Sequence, residues 1–406
     1  MLLAFVLSVL AACPATLAGG SGVQLSPVAG DGADWVRATH VRITGSSFEI
    51  GRELARLGSE RHGSKPPRAT ADDRVRAQRE YFAARYPAQL ERMRGVAAFF
   101  GQELGKDEVE LDSLAYAGIT AGCTVVFYPP ETTEDGRGVL SRNFDFTTGT
   151  WEGRTPKPGD PAACSAPYVL ELHPTDAYAS LAVVAFDLLG VVDGINSEGL
   201  TVALLADDEL SMMGKAHPSA GVQAGLDVLQ VGRFLLDTCK NVAEAKAALR
   251  GSSLYYTSIP CHYLIADAAG HAFLWENAID LSAGHVIEGD GGPLVTTNYL
   301  QQLHPDPTAL PEDPNPFGLF HRQQKLLERF AEQEQFSLDE VRANASCVAA
   351  RGPSNAGRAP GRTLWHALYF PAERRMEVDF YLGEGDGAHA DPRRSEVFGF
   401  SIEPNR

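Results

Sequence analysis

Apolar residues in the first third of the chain recur at intervals of three and four, which is the spacing of one face of an α-helix. Ser46 and Glu49 can form a capping box at the start of a helix expected over 47–60. Residues 72–104 repeat the pattern with many arginines between the apolar positions, which predicts one or two amphipathic helices. A further short helix is expected from about Asp107 to Ala117.

After Cys123 the pattern changes to short β-rich runs separated by turn residues. The first two runs, 124–128 and 139–146, are expected to form a hairpin around the turn sequence 133–138. Runs of strands and runs of helices are separate, which favours an α+β fold of two antiparallel sheets covered by helices over a parallel βαβ sheet. The other predicted strands are 168–173, 180–186, 201–205, 263–266, 272–276, 363–370 and 376–382, and the other predicted helices are 222–238 and 242–250.

Composition is that of a globular protein with a sizeable core, since 44% of the 406 residues are hydrophobic and 21% are charged. The length allows one large domain or two to three smaller units. Lys+Arg 35 against Asp+Glu 52 gives a net charge of −17, so a nucleic-acid partner is not expected. Six cysteines are too dilute for a disulfide framework, and no CxxC or HExxH spacing indicates zinc. We expect neither a metal nor a cofactor.

An apolar run opens the chain and ends at Cys13. It is too short to span a bilayer but has the length of a signal-peptide core, although no basic residue precedes it and a start further upstream stays open. Its end resembles a bacterial lipobox, in which Cys13 would be lipidated; cleavage after Ala18 or a buried N-terminal segment are the alternatives. We therefore expect a signal peptide over 1–18, a flexible tether over 19–33, and an exported periplasmic or cell-envelope lipoprotein.

Cys123 is the candidate nucleophile, and a catalytic thiol needs a base. No Cys-His protease signature is present, and His262 and His366 are expected to be structural. If the bond after Gly122 is cut, Cys123 acquires an α-amino group with a pKa of roughly 7.7–8.0, which can accept the thiol proton. Gly122 suits this cut because glycine lets the backbone bend and leaves its carbonyl open to the thiol. The alternative is a cysteine packed as a small hydrophobic residue.

Three short stretches carry the candidate chemistry: Ala121-Gly122-Cys123-Thr124, Arg142-Asn143-Phe144-Asp145 and Asp193-Gly194-Ile195-Asn196-Ser197-Glu198-Gly199-Leu200. Together, in this order, they resemble the N-terminal-nucleophile (Ntn) hydrolases of the acyl-CoA:6-aminopenicillanate acyltransferase family, with choloylglycine hydrolases and penicillin V acylases as more distant relatives. The resemblance covers about residues 40–385. It implies a helical pro-segment over 34–122, an αββα sandwich of two antiparallel sheets over 123–390, and a C-terminal tail over 391–406.

The same resemblance implies roles for polar residues around Cys123. Asp145 would orient the α-amino group and Arg142 would favour the thiolate, with a surface ion pair as the alternative. Strand alternation points these two side chains to opposite faces, unless the strand twists or bulges. Asn196 would donate a hydrogen bond to the oxyanion, or would simply close a turn.

Two later residues resemble further active-site positions of the family. Asn298 ends an apolar strand and resembles the second active-site asparagine. Arg362 begins the strand expected over 363–370 and resembles a family arginine near the site, although Arg351 and Arg358 in the preceding loop are alternatives.

The expected activity is self-cleavage before Cys123, followed by attack on a linear non-peptide C–N amide through an S-acyl intermediate. Water would make the protein a hydrolase and an amine would make it an acyltransferase. An exported location favours the hydrolase, since acyl-CoA donors are cytosolic. The expected partner is a small-molecule amide with a hydrophobic acyl group, and membrane contact is expected only through a lipid anchor. A binding protein that uses the same sandwich without cleavage is the alternative.

Overall fold

Two β-sheets lie face to face in this computed structural model, and helices pack on both of them. The structure describes residues 22–69, 72–106, 109–116, 122–150, 154–156, 162–212, 224–256, 259–277, 284–313, 318–352, 359–386 and 391–403. The strands are β1 (Val23–Ala29), β2 (Ala38–Gly45), β3 (Gly122–Tyr128), β4 (Val139–Thr147), β5 (Tyr168–Pro174), β6 (Ser180–Val184), β7 (Asp193–Asn196), β8 (Thr201–Ala206), β9 (Cys261–Ala266), β10 (Ala272–Asn277), β11 (Gly284–Glu288), β12 (Leu294–Thr296), β13 (Gly361–Phe370), β14 (Arg375–Gly383), β15 (Arg393–Arg394) and β16 (Phe398–Ser401). The helices are α1 (Ser47–His62), α2 (Asp72–Arg85), α3 (Pro87–Phe100), α4 (Asp208–Met212), α5 (Val228–Thr238), α6 (Val242–Arg250), α7 (Leu319–Phe330) and α8 (Leu338–Cys347).

Within the described residues the first sheet has nine strands in the order β1-β2-β5-β6-β7-β8-β9-β10-β11. The second has the order β12-β3-β4-β13-β14-β15, with β16 beside β14. The α+β fold of two sheets flanked by helices is therefore confirmed. One detail differs from the expected antiparallel sheets, because β2 and β5 run parallel.

The main hydrophobic core fills the space between the sheets. Cys123, Phe144 and Phe146 point into it from the second sheet. The Phe144 ring stacks on Trp365 with a centroid distance of 3.8 Å. A smaller core that includes Val126 lies under α7 and α8 on the outer side of the same sheet. Residues of β3 and β4 therefore alternate between the two cores, as the period of two in a strand requires.

The N-terminal region belongs to the first sheet. The prediction of a flexible tether over 19–33 is wrong in part, because Val23–Ala29 is a strand that pairs antiparallel with Ala38–Gly45. The latter strand in turn pairs parallel with Tyr168–Pro174. Apolar residues of the first strand pack against the core, so its alternation of side chains outweighs the Gly- and Ser-rich composition around it. The expected helical segment over 34–122 therefore also contains a strand.

The predicted helices of this region are confirmed up to residue 100. The capping box of Ser46 and Glu49 is present, and α2 and α3 occupy the segment expected to hold one or two helices. Helices α1 and α3 pack so closely that a Cβ on Gly51 would lie 2.2 Å from the carbonyl oxygen of Arg92. Glycine is needed at this crossing because its missing side chain allows the two backbones to meet.

Two further parts of the predicted organisation need correction. The helix expected from about Asp107 to Ala117 is absent from the described residues 109–116, where Val109 and Ala115 instead form isolated bridges to Arg68 and Asp187. The expected C-terminal tail contributes two short strands that pair with β14. Both segments are therefore tied to the fold by main-chain hydrogen bonds.

Candidate active site

Cys123 is the second residue of β3, opposite Phe144 of β4, and its side chain is fully buried between the sheets. Its main-chain nitrogen donates a hydrogen bond of 2.5 Å to Oδ1 of Asn298. Its carbonyl oxygen accepts a hydrogen bond of 2.5 Å from Nη1 of Arg322. Both ends of the residue are therefore held by side chains.

Arg142 of the neighbouring strand lies on the same face of the sheet as Cys123. Its guanidinium carbon lies 5.1 Å from the centre of the Phe144 ring, which is opposite Cys123, and its Nε donates to Oδ2 of Asp193 at 2.6 Å. Burial raises the pKa of the Cys123 thiol, and the positive charge of Arg142 offsets part of that rise. The thiol is therefore protonated near neutral pH and needs a base before it can attack.

Asp193 is the buried counter-ion that keeps Arg142 in place. It also accepts hydrogen bonds from Nε1 of Trp365 at 3.2 Å and from the hydroxyl of Tyr369. The sequence analysis quoted the stretch that contains Asp193 but assigned chemistry only to Asn196. An acidic residue directly after the apolar Val191 and Val192 was the signal for this counter-ion.

Asp145 lies on the opposite face of β4 from Arg142, as strand alternation predicts. Its Oδ1 accepts a hydrogen bond of 2.5 Å from the Thr363 hydroxyl, and its Oδ2 lies 3.3 Å from Nη1 of Arg322. Burial raises the pKa of Asp145, while Arg322 and Thr363 act in the opposite direction. Asp145 also opposes Arg142 at the thiol, because its negative charge raises the pKa of Cys123.

Arg322 of α7 joins the separate parts of the site and was missed by the sequence analysis. Besides the carbonyl of Cys123 and Asp145, it donates to Oγ1 of Thr124 at 2.8 Å and to Oδ1 of Asn298 at 2.9 Å. It is 6% exposed, and it lies between the buried residues Leu319 and Leu326 on the packed face of the helix. A charged residue at such an apolar position was the signal that could have identified it.

Asn298 lies beside Cys123, where the sequence resemblance places an active-site asparagine. Its Nδ2 donates to the carbonyl oxygen of Ala206 at 2.9 Å, so the amide orientation is fixed from the first sheet. The structure thus brings together four residues from the sequence analysis, Cys123, Arg142, Asp145 and Asn298, and adds Arg322.

Asn196 does not have the oxyanion role expected from the sequence. Its Nδ2 donates to the carbonyl oxygens of Leu236 and Cys239 at 2.9 and 2.8 Å. Its Oδ1 accepts from the main-chain nitrogens of Glu198 and Leu200. With both amide hydrogens bound to carbonyls at the end of α5, the side chain has no donor left for an oxyanion. The alternative interpretation, that Asn196 closes a turn, describes this geometry.

The prediction that Arg362 belongs to the site is also wrong. It forms an ion pair with Glu384, at 3.0 Å from Nε to Oε1, and donates to the carbonyl oxygen of Gly352 at 2.6 Å. Its neighbour Thr363 takes the contact with Asp145, since adjacent residues of a strand point to opposite faces. Of the alternatives, Arg351 pairs with Asp391, and Arg358 lies outside the described residues.

The two histidines expected to be structural have buried or half-buried hydrogen-bond partners. His262 contacts Asp207 through Nδ1 and Thr296 through Nε2 at 3.2 Å. Burial alone would lower the pKa of His262, but Asp207 raises it above its ordinary value. Nε2 of His366 lies 3.1 Å from the hydroxyl oxygen of Ser141, within hydrogen-bond distance. Among the described residues no group of three or more His, Cys, Asp and Glu side chains is arranged to hold a metal ion.

The profile of the acyl-coenzyme A:6-aminopenicillanic acid acyl-transferase family matches residues 132–385, more than half of the chain. The chain belongs to this family. Family membership supports an enzyme of the Ntn hydrolase and acyltransferase group. A comparison with curated proteins gives no match.

The fold is also similar to several solved structures at low sequence identity. A mutant of the conjugated bile acid hydrolase from Clostridium perfringens has 15% identity and a TM-score of 0.46, with 69% of this chain and 97% of that chain covered. Penicillin V acylase from Agrobacterium tumefaciens has 13% identity and a TM-score of 0.41, with 69% and 86% covered. The Caenorhabditis elegans N-acylethanolamine-hydrolyzing acid amidase ortholog has 15% identity and a TM-score of 0.34, with 62% and 93% covered.

Proposed function

We propose that the protein is a self-cleaving amidase that uses an N-terminal cysteine to hydrolyse linear non-peptide C–N amide bonds through an S-acyl intermediate. The observation that carries this proposal is the position of the Cys123 nitrogen, which donates to Asn298 Oδ1 at 2.5 Å, while the positive charge of Arg142 acts against burial to lower the pKa of the thiol of the same residue. In a cut chain that nitrogen is an α-amino group. Base and nucleophile then belong to one residue.

Self-cleavage requires the Cys123 thiol to attack the carbonyl carbon of Gly122. The peptide C–N bond breaks as its nitrogen takes up the thiol proton, and a thioester forms between Gly122 and Sγ. Water then hydrolyses the thioester to give a carboxylate on Gly122 and a free thiol on Cys123. The fragment before the cut would stay attached, because β1 and β2 belong to the nine-stranded sheet.

Turnover repeats the same chemistry on a substrate. The neutral α-amino group takes the thiol proton, and the thiolate attacks the amide carbon to form an S-acyl enzyme. The proton passes to the departing amine, and water resolves the thioester to a carboxylic acid. Arg142 stabilises the thiolate, and Asn298 holds the nitrogen that moves the proton. The substrate class is a small-molecule amide with a hydrophobic acyl group.

Transfer of the acyl group to an amine instead of water is the second candidate function, and the family description favours it. An uncut binding protein is the third. Purified protein incubated with a linear amide, with and without a primary amine acceptor, separates them. Release of free acid supports the hydrolase, predominant formation of a new amide supports the acyltransferase, and neither product supports the binding protein.

The test uses Cys123→Ala, with Cys347→Ala as the matched control. Cys347 is a half-buried cysteine of α8 whose thiol contacts the carbonyl oxygen of Asn344. We expect Cys123→Ala to lose all acid and amide formation and Cys347→Ala to keep it. A rapidly quenched reaction should add the acyl mass to the fragment that begins at Cys123. Full activity in Cys123→Ala would disprove the proposal.

An exported lipoprotein is the proposed location, and it is supported by the apolar run that ends at Cys13. Residues 1–21 lie outside the described residues, so this proposal is based on sequence alone. No described helix is long and apolar enough to cross a membrane. Partition of the protein into a detergent phase should be lost in Cys13→Ser. Unchanged partition would rule out the lipid on Cys13.

A further inference from the structure

Helices α3 and α5 enclose a second buried group of charged side chains, which shares no residue with the site around Cys123. The Tyr86 and Phe234 rings meet edge to face with a centroid distance of 5.0 Å, so the two helices are in direct contact. Tyr86, Gln89 and Arg92 follow one another at intervals of three from the start of α3. Arg233 and Asp237 lie one turn apart on α5. We call this group the α3–α5 cluster; its members are Tyr86, Gln89, Arg92, Arg233 and Asp237.

The α3–α5 cluster is removed from water. Arg92 and Arg233 are each 1% exposed and Gln89 is 0% exposed. Oδ2 of Asp237 accepts from Nη1 of Arg92 at 2.5 Å and from the hydroxyl of Tyr86. Nη1 of Arg233 donates to Oγ of Ser180 at 2.7 Å and lies 3.8 Å from Oδ1 of Asp237. Two guanidinium groups therefore share one carboxylate.

The charges of the cluster do not balance. Arginine stays protonated in proteins, so Arg92 and Arg233 contribute two positive charges and Asp237 one negative charge, a sum of +1. Tyr86 stays neutral, because burial raises its pKa well above the ordinary value. Among the described residues, Asp237 is the carboxylate in contact with either arginine. An unpaired buried charge is costly, so the cluster lacks one negative charge.

The same cluster has hydrogen-bond donors without acceptors. Nε and Nη2 of Arg92, Nη2 of Arg233 and the amide nitrogen Nε2 of Gln89 have no hydrogen-bond partner within the described part of the chain. Two acceptors of the cluster, Oε1 of Gln89 and Oδ1 of Asp237, are unpaired as well, so the unpaired donors outnumber the unpaired acceptors. Gln89 and Arg92 lie on one face of α3 because they are three residues apart. The face they share is the one that meets Asp237 of α5. Buried N–H groups are almost always paired, so these donors indicate a bound acceptor.

We propose that a small monovalent inorganic anion of the size and charge of chloride binds between α3 and α5 and accepts hydrogen bonds from Arg92, Arg233 and Gln89. One negative charge brings the sum to zero. An anion without protons suits a site whose free groups are mainly donors, and the burial of the cluster side chains favours a small ion over a large one. Binding links the N-terminal helices to the sandwich, so the anion stabilises the association of the two parts of the chain.

The first test is thermal unfolding of the full chain in sodium chloride and in sodium gluconate at equal ionic strength. Gluconate carries the same charge but is too large for the site. We expect the midpoint to rise by about 1–3 °C for each tenfold increase in chloride, and to stay constant in gluconate. Arg92→Met should abolish this chloride dependence because it leaves the neutral pair of Arg233 and Asp237. Arg94→Met, on the exposed side of the same helix, should retain it.

The second test places the negative charge in the protein. Gln89→Glu keeps the shape of the side chain and adds a carboxylate where the anion is proposed. It should raise the unfolding midpoint in gluconate to at least that of the wild type in chloride, and it should remove the chloride dependence. This variant tests the proposal even if Arg92→Met fails to fold. The proposal would be overturned in favour of bound water by equal unfolding midpoints of the wild type in both salts. It would also be overturned by a midpoint of Gln89→Glu in gluconate that is lower than that of the wild type.

Discussion

Two buried clusters of arginine and carboxylate contrast in this molecule. Around Cys123, Arg142 and Arg322 are matched by Asp193 and Asp145, and every guanidinium nitrogen has a partner among the described residues. In the α3–α5 cluster two arginines share one aspartate and several donors are unpaired. The balanced cluster sets the potential at a thiol with the protein's own charges, whereas the other requires an ion from outside.

Removal of the carboxylate under Arg142 should have the largest effect on stability. Asp193→Asn leaves a fully buried guanidinium without its counter-ion, so the free energy of unfolding should fall by about 3–5 kcal/mol. Urea denaturation measures this loss. Asp135→Asn is the control, since its ion pair with Arg137 is exposed and should contribute about 0–1 kcal/mol. A loss in Asp193→Asn as small as in the control would show that Arg142 does not depend on this pair.

Arg322 holds Cys123 in position, and the role of its guanidinium geometry can be tested separately from the role of its positive charge. Arg322→Lys keeps the positive charge near Asp145 but cannot bind all the acceptors of the guanidinium at once, so Cys123 should lose its alignment. We expect self-cleavage to slow by about 10²-fold, measured as the half-life of the uncut chain by mass spectrometry. Arg329→Lys on the same helix, where Nε contacts Asn344, should cleave at the wild-type rate. Equal rates in both variants would remove the positioning role.

Glu171 gives a pH test of the junction between the N-terminal strands and the sandwich. Although its burial acts to raise the pKa, His173, His40 and Arg42 lower the pKa of Glu171 to about 2. Its folded pKa is therefore below the ordinary value of 4.5, so its contribution to stability is present above pH 4.5 and lost as the pH falls toward 2.

Comparison of the wild type with Glu171→Gln measures this contribution. The wild type should be more stable by about 1–3 kcal/mol at pH 7, and the difference should shrink at pH 3. A difference that is equal at both pH values would mean that the carboxylate charge does not hold the junction.

Gly122→Ala should have the smallest effect. A Cβ at this position would come no closer than 3.5 Å to any atom, to Cβ of Asp145, and it would also lie 3.9 Å from Asn298 Oδ1. These are ordinary contacts, so the fold should be unchanged within about 0.5 kcal/mol and self-cleavage should stay within about threefold of the wild-type rate. Loss of cleavage in a folded Gly122→Ala would restore the sequence argument that glycine is required at the cut.

The sequence predicts the fold class and part of the site because those features follow local rules. Strand alternation separates Arg142 from Asp145, and capping marks the start of α1. Contacts between distant segments follow no such rule. Arg322 reaches Cys123 across about 200 residues of sequence, and the donors of Asn196 are taken by carbonyls of a helix that only the packed sheet brings near. Local composition also suggested a tether at β1, although the strand is stabilised by its neighbours.

The central claim is that Cys123 becomes the N-terminus of a catalytic fragment. The intact mass of freshly purified wild type and Cys123→Ala tests it most directly. We predict two wild-type fragments separated at the Gly122–Cys123 bond, and a single uncut chain in a Cys123→Ala variant that remains folded. A wild type that stays uncut, or a Cys123→Ala chain cut at the same bond at the wild-type rate, would contradict the account.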